Sequence, residues 1–242
     1  PGINRLLPGT DFFRVALVVH VDLSVLVWFI SIAGLLWSIN SSRAGLLWGW
    51  ASLALAGSGT FIMSIAAFVA PGEAIMANYI PMLDSKVFVA GLLIFAMGAT
   101  VLVLRSLLGA PKVGPLTDGT SAMRFGMSAS AVATAVALLA FAWSYAVVPH
   151  SLSGKTYYEI LFWGGGHALQ FTWTLLMLVA WLWLGSACGG RTLLSPRLTV
   201  LMLALALVSV FVTPYAYLAY DVASVEHRNL HTWGMRLGGG IA

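Results

Sequence analysis

Long apolar stretches separated by short loops dominate the chain. Each stretch can cross the roughly 30 Å hydrocarbon core of a bilayer as a helix, because an α-helix rises about 1.5 Å per residue. The loops between them are rich in Gly, Pro, Ser and Asn, which favour turns. The pattern predicts a single all-α transmembrane domain over 1–242, a bundle of six helices at about 14–38, 45–70, 87–108, 123–148, 158–187 and 197–220.

Composition supports a membrane protein and narrows its chemistry. Hydrophobic residues make up 60% and charged residues 8% of the chain, whereas about a quarter of a typical soluble domain is charged. The twelve Lys and Arg are scattered singly, so we expect the lipid bilayer and no nucleic acid as a partner. The single cysteine, Cys188, excludes an internal disulfide. Any metal would therefore be bound by histidine and carboxylate.

Charge in the loops favours one orientation. The loops around 40–44, 105–124 and 186–197 contain six Lys or Arg and one acid, whereas the opposite side contains six Lys or Arg and seven acids. Equal basic counts leave the positive-inside rule undecided. The clustering of basic residues in short loops nevertheless favours the cytoplasm for the first side. We expect a bacterial inner-membrane protein with both chain ends and all histidines toward the outer side.

Two of the histidines lie inside predicted spans. His20 follows Arg14 by six residues and His167 follows Glu159 by eight, so both lie about 10 Å below the outer surface. Ionisable residues are costly within a membrane and are commonly functional, and imidazole is a common ligand of heme iron and copper. The matching depth favours metal ligands. The alternative is that each is a hydrogen-bonded core histidine.

The residues around His167, His227 and His231 give further indications of a metal or cofactor site. Gly164–Gly166 precede His167, and consecutive glycines allow a neighbouring helix or a flat cofactor to approach closely. His227 and His231 would share one face if their segment is helical. That spacing suits one metal, although both could equally be interfacial anchors.

Asp22 is separated from His20 by about 200° around the first helix, so it cannot share a ligand face with that histidine. We expect Asp22 to pair with a cation or a water near the interface. A proton-pathway role is the alternative.

Several of these segments resemble subunit I of the heme–copper oxidase superfamily, which includes bacterial nitric oxide reductases, with the C-type branch nearest. The helix containing Arg14 and His20 resembles the one that ligates a low-spin heme. Gly166–Phe171 resembles a sixth-helix motif whose histidine ligates copper, and His227–Met235 resembles the loop with two adjacent copper-ligand histidines. Asn78–Pro81 also matches a family turn. The six helices resemble helices two to seven, half of a twelve-helix subunit.

The resemblance implies a function. Electrons would pass from a cytochrome c-type donor through a low-spin heme on His20 to a second heme and a copper, where O₂ or NO is reduced. His167, His227 and His231 would be the copper ligands. Tyr220, or Tyr217, would donate an electron and a proton. The expected partners are other subunits of a respiratory complex.

The chain also departs from the family pattern. Arg228 stands where the family has a second adjacent histidine, Phe171 replaces a tyrosine, and the tenth-helix heme ligands have no counterpart. The chain begins with Pro1 rather than Met, so we expect it to be a piece of a longer protein.

The alternative function is an oxidase-like subunit with a degraded copper site, acting as a heme-bearing electron relay or a structural subunit. A transporter is disfavoured because neither broken helices nor related halves are evident.

Overall fold

Six helical segments of the chain are long and apolar enough to cross a membrane. The computed structural model describes residues 11–42, 45–114, 119–189 and 194–241. The segments are Phe12–Ile39, Leu46–Val69, Lys86–Leu108, Gly119–Val147, Gly154–Ala187 and Pro196–Ala219. The predicted all-α membrane fold is confirmed.

The fourth and fifth helices begin at Gly119 and Gly154, earlier than predicted. Four of the charged residues counted above for orientation lie outside the described residues: Arg5, Arg43, Asp118 and Arg191.

The first span is not a uniform α-helix. It consists of α1 (Phe12–Val21), a π-helical segment (Asp22–Val27) and α2 (Trp28–Ile39). The Ser24 hydroxyl donates to the His20 carbonyl at 2.7 Å, and side chains that bond to backbone carbonyls compete with the regular helical ladder. Short π segments inside helices occur frequently at functional sites. The span nevertheless remains one continuous helix from Phe12 to Ile39.

The sixth span, in contrast, is interrupted, so the expectation of unbroken helices is wrong there. It consists of α7 (Pro196–Val210) and α8 (Val212–Ala219), with Phe211 between them. Pro214 explains the break, because a proline has no N–H and its ring clashes with the carbonyl four residues earlier. After a short turn the chain forms α9 (Val225–Ile241), so the segment that was predicted only conditionally as a helix is helical.

Between the second and third spans, α3 (Leu46–Val69) and α4 (Lys86–Leu108), the chain forms a small β-hairpin. Its strands β1 (Ala74–Ile75) and β2 (Met82–Leu83) are antiparallel. Within it, Tyr79 has a φ of 69°, a left-handed conformation that is uncommon for residues other than glycine. Met82 and Leu83 are buried in the same core cluster as Val15 and Val18 of α1. The hairpin, which was not predicted from the sequence, therefore packs against the beginning of the first span.

Glycines bring α3 and α4 into backbone contact. A Cβ on Gly59 would lie 2.6 Å from the Gly91 carbonyl oxygen, and one on Gly98 would lie 2.9 Å from the Ser52 carbonyl oxygen. The Ser52 hydroxyl donates to the Gly98 carbonyl at 2.8 Å. In a membrane, helices associate through such close packing and interhelical hydrogen bonds, since lipid is as apolar as the side chains.

Hydrogen bonds also join α2 to α5 (Gly119–Val147), and α5 to α6 (Gly154–Ala187). The Trp37 indole donates to the Ser130 hydroxyl at 2.9 Å. The Thr134 and Thr172 hydroxyls are 3.0 Å apart. All four side chains are buried. These contacts hold the first, fourth and fifth spans together around one core.

The α3–α4 contact predicts a sharp difference between two nearby glycines. Gly59→Ala should lower the thermal midpoint of unfolding, at a cost of about 1–3 kcal/mol, because the methyl group meets backbone that cannot move independently. Gly57→Ala is the matched control, since a Cβ there has nothing within 4 Å. The control should leave the midpoint unchanged or slightly higher, as alanine favours helix by about 1 kcal/mol. Equal midpoints for both variants in detergent would contradict the proposed packing.

Candidate metal centre

Three of the five histidines meet at one end of the bundle. His167 of α6 and His227 and His231 of α9 are 4%, 0% and 2% exposed. The ring centres of His227 and His231 are 4.5 Å apart, and those of His167 and His231 are 5.8 Å apart. We call these three residues the histidine cluster. His20 and His150 are exposed and lie elsewhere, on α1 and in the loop after α5.

Helix α9 aligns two members of the histidine cluster. The four-residue spacing places His227 and His231 one turn apart on the buried face, whereas Arg228 is on the exposed face. The Ser224 hydroxyl accepts from the His227 backbone N–H at 3.1 Å, which caps the beginning of the helix. The Trp163 indole donates to the Arg228 carbonyl at 3.3 Å. This last bond attaches α9 to the helix that bears His167.

Backbone hydrogen bonds determine which ring nitrogens are free. Nδ1 of His167 is 2.8 Å from the Trp163 carbonyl oxygen, and Nδ1 of His231 is 2.9 Å from the His227 carbonyl oxygen. A carbonyl oxygen only accepts, so each Nδ1 carries the proton and each Nε2 has a lone pair. Among the described residues, Nε2 of His231 and both nitrogens of His227 have no hydrogen-bond partner. Unpartnered buried nitrogens of this kind require a physical explanation.

Two tyrosines contact the histidine cluster. The Tyr79 hydroxyl is 2.9 Å from Nδ1 and 3.1 Å from Nε2 of His167. Because the Nδ1 hydrogen is bonded to the Trp163 carbonyl, Nε2 is the nitrogen that can accept from this hydroxyl. The Tyr217 ring centre is 4.8 Å from that of His227, and the Tyr217 hydroxyl is 2.6 Å from the Ser144 hydroxyl. Tyr220, the residue favoured from the sequence, is 40% exposed at the end of α8. Its catalytic role stays a prediction.

The three glycines before His167 accommodate aromatic rings. A Cβ on Gly164 would collide with the ring of Tyr217, one on Gly165 with the ring of Phe141, and one on Gly166 with the ring of Tyr79. Side chains of this chain therefore occupy the space that the sequence suggested for a neighbouring helix or a flat cofactor. The same glycines bring Tyr79 and Tyr217 to the histidine cluster.

Burial alters the acid–base properties of the cluster. It lowers the pKa of His227 to about 4 and that of His231 to about 4, because the low-dielectric interior disfavours the charged imidazolium. Burial also raises the pKa of the Tyr79 hydroxyl. Both histidines are consequently neutral at neutral pH. Neutral imidazole is the form that binds metals.

The cluster has much of what a metal site needs but is not arranged as a complete one. Two imidazoles bound to one metal at about 2 Å have ring centres about 5 Å apart, close to the observed 4.5 and 5.8 Å. Within the described ranges, no group of three His, Cys, Asp or Glu side chains is arranged as a metal site. The Tyr79 hydroxyl lies at the His167 nitrogen that a metal would use.

Asp22 lies on the buried face of the first span, and His20 on the exposed face. The Asp22 side chain is 1% exposed. Neither of its carboxyl oxygens has a hydrogen-bond partner in the part of the chain that the structure describes. The expected separation from His20 is confirmed. The expected cation partner is not among the described residues, where the ion pairs are Arg14–Asp11 and Lys155–Glu159.

Two curated proteins match the whole of this chain. One, from Rickettsia prowazekii (strain Madrid E), is 26% identical over 277 residues, with 52% of its length covered. The other, from Aquifex aeolicus (strain VF5), is 28% identical over 241 residues, with 59% of its length covered. Both are described only as uncharacterized proteins. The chain thus spans a little over half the length of these relatives. No family model and no solved structure matches the chain.

The isolation of Asp22 predicts an unusual response to mutation. Asp22→Leu should raise the thermal midpoint, by an amount equivalent to about 1–3 kcal/mol, since it removes a polar group buried without a partner. Asp22→Asn, which keeps the size and a polar end, should leave the midpoint near that of the wild type. Thermal unfolding in detergent measures both variants. A lower midpoint for Asp22→Leu would contradict the isolation of this carboxyl group.

Proposed function

We propose that this chain is part of a heme–copper oxidase-like subunit I and that the histidine cluster binds its copper. The observation that carries the proposal is the set of unpartnered imidazole nitrogens on His227 and His231 beside His167. Burying such groups without a ligand is unfavourable by about 1–3 kcal/mol each. The resemblance of the segments around His167 and His227 to copper-ligand segments supports the same assignment.

The donor set fits copper. Imidazole suits copper, and the Irving–Williams order places Cu²⁺ above the other divalent first-row metals. The Nδ1 hydrogens of His167 and His231 are accepted by backbone carbonyls. Most metal-ligating histidines are oriented by an outer-shell hydrogen bond of this kind. His231, buried one turn beyond His227, stands in for the adjacent histidine that Arg228 replaces. Three histidines would then be the copper ligands despite the departure from the family pattern, once the Tyr79 hydroxyl moves away from Nε2 of His167.

Bound copper would transfer electrons from a donor to O₂ or NO, as the resemblance implies. Residues of this chain would orient the ligands and handle protons. The Tyr79 hydroxyl, already hydrogen-bonded to His167, is a proton donor at the edge of the cluster. The Tyr217 hydroxyl is paired with Ser144, which would restrict its movement. Tyr220 is the third candidate, from the resemblance alone.

Heme does not fit the described residues in the same way. His20 is exposed on α1, and a low-spin heme needs a second axial ligand that the resemblance places on a tenth helix. The described residues therefore support heme only through the resemblance. The low-spin heme on His20, the second heme, the cytochrome c-type donor and the other respiratory subunits belong to the proposal through the resemblance. A bacterial inner membrane, with the cluster toward the outer side, is proposed from the clustering of basic residues in the short loops on the opposite side.

Copper binding by single variants tests the proposal. The purified wild type should bind one copper per chain. His227→Leu and His231→Leu should each weaken binding at least about 100-fold, because each removes a ligand and not merely an outer-shell contact, whose loss already costs 10- to 100-fold. Elemental analysis after dialysis against a copper buffer gives the stoichiometry and affinity.

His150→Leu and His20→Leu are the matched controls, since both histidines are exposed and outside the histidine cluster. Both should retain copper. Wild-type protein without copper under loading conditions, or retention of copper after replacement of all three cluster histidines, would refute the copper proposal.

A second function, the oxidase-like subunit without copper, has one observation in its favour. The Tyr79 hydroxyl satisfies the His167 nitrogen that a metal would need. Metal content discriminates between the two functions. Heme detected in the purified protein by its absorbance, without copper, would favour the heme-bearing relay. Copper bound through the histidine cluster favours the oxidase-like centre.

A further inference from the structure

A groove between the first, second and third spans opens at the end of the bundle opposite the histidine cluster. Its volume is about 530 Å³, and its lining includes Leu35, Leu53 and Phe95 below and Ser38 and Arg105 at the rim. Arg105 is in the last turn of α4, nineteen residues beyond Lys86 and so about 28 Å along the helix. The groove thus has an apolar wall within the span and a polar rim at the membrane surface.

Arg105 is held at this rim without an acidic partner. Its Nε donates to the Gly45 carbonyl at 2.9 Å, and its Nη1 donates to the Ser38 hydroxyl at 3.2 Å. A Cβ on Gly45 or Gly49 would lie 3.3 Å from Nε, so these two glycines leave room for the side chain. Arg105 forms no ion pair with any acid in the described ranges. The guanidinium group is therefore positioned by neutral groups, and no carboxylate of the described ranges compensates its charge.

The remaining donors of Arg105 suit a phosphate. A guanidinium group has five N–H donors, and its planar fork matches phosphate oxygens in bidentate geometry. The hydroxyl of Ser38 accepts from Arg105 and can still donate its own hydrogen. The rim thus offers a fixed cation and hydroxyl groups at the level where lipid headgroups lie.

We propose that this groove binds an anionic phospholipid, with its phosphate on Arg105 and an acyl chain along the apolar wall. Basic pockets between transmembrane helices commonly bind anionic headgroups in this way. A free phosphate would leave the apolar wall without a ligand. A zwitterionic lipid would place its ammonium group beside an uncompensated cation and, among the described lining residues, would meet no carboxylate.

Native mass spectrometry of the delipidated full chain in detergent tests the proposal, with phosphatidylglycerol and phosphatidylcholine titrated separately. One phosphatidylglycerol should bind at least about 10-fold more tightly than phosphatidylcholine, as expected for charge-assisted hydrogen bonds. Arg105→Gln should remove that preference. Arg197→Gln is the matched control, an exposed cation at the beginning of α7 on the same side, and it should keep the preference.

Each alternative result is decisive. Equal affinity for the two lipids, an unchanged preference in Arg105→Gln, or an equal loss in Arg197→Gln would overturn the proposal. Displacement of the lipid by glycerol phosphate at matched concentration would also overturn it, because the site would then recognise phosphate alone. Ser38→Ala is a second test variant in case Arg105→Gln does not fold. The preference of Ser38→Ala for phosphatidylglycerol should fall severalfold, and an unchanged preference would contradict the assigned site.

Discussion

The burial of three imidazoles in one water-excluded place is the constraint on which the candidate centre depends. Two Nδ1 hydrogens are satisfied by carbonyls one turn earlier in the same helices. Nε2 of His231 and both nitrogens of His227 have no partner in the described structure. A ligand can take one lone pair from each of the two neutral rings, and each lone pair left unpaired costs free energy. Burial keeps His227 and His231 neutral at neutral pH. A metal resolves this cost, whereas a proton would add a buried charge.

Elements that are distant in sequence together position the histidine cluster. The break at Phe211 and the capped turn at Ser224 lead the chain into α9, which packs against α6. The hairpin brings Tyr79 onto Gly166, the residue before His167. Close packing of α3 and α4 through Gly59 holds the two helices that the hairpin connects. At the opposite end, the same pair of helices positions Arg105 over the beginning of α3.

The six spans were predictable because apolar length alone decides whether a helix can cross a bilayer. The shared face of His227 and His231 was predictable from their spacing, provided that the segment is helical. Matching depth, however, does not specify side-chain direction, so His20 and His167 were grouped although His20 is on the exposed face. The contact of Tyr79 with His167 depends on a hairpin 88 residues away in sequence. Local pattern contains no information about such a contact.

Copper K-edge X-ray absorption of the copper-loaded protein tests the central claim most directly, because it counts the atoms around the metal. The three-histidine centre predicts about three imidazole nitrogens at about 2.0 Å, falling to about two in His231→Leu. Sulfur in the first coordination sphere, or a spectrum with no imidazole scattering, would contradict the assignment of the histidine cluster as a metal centre.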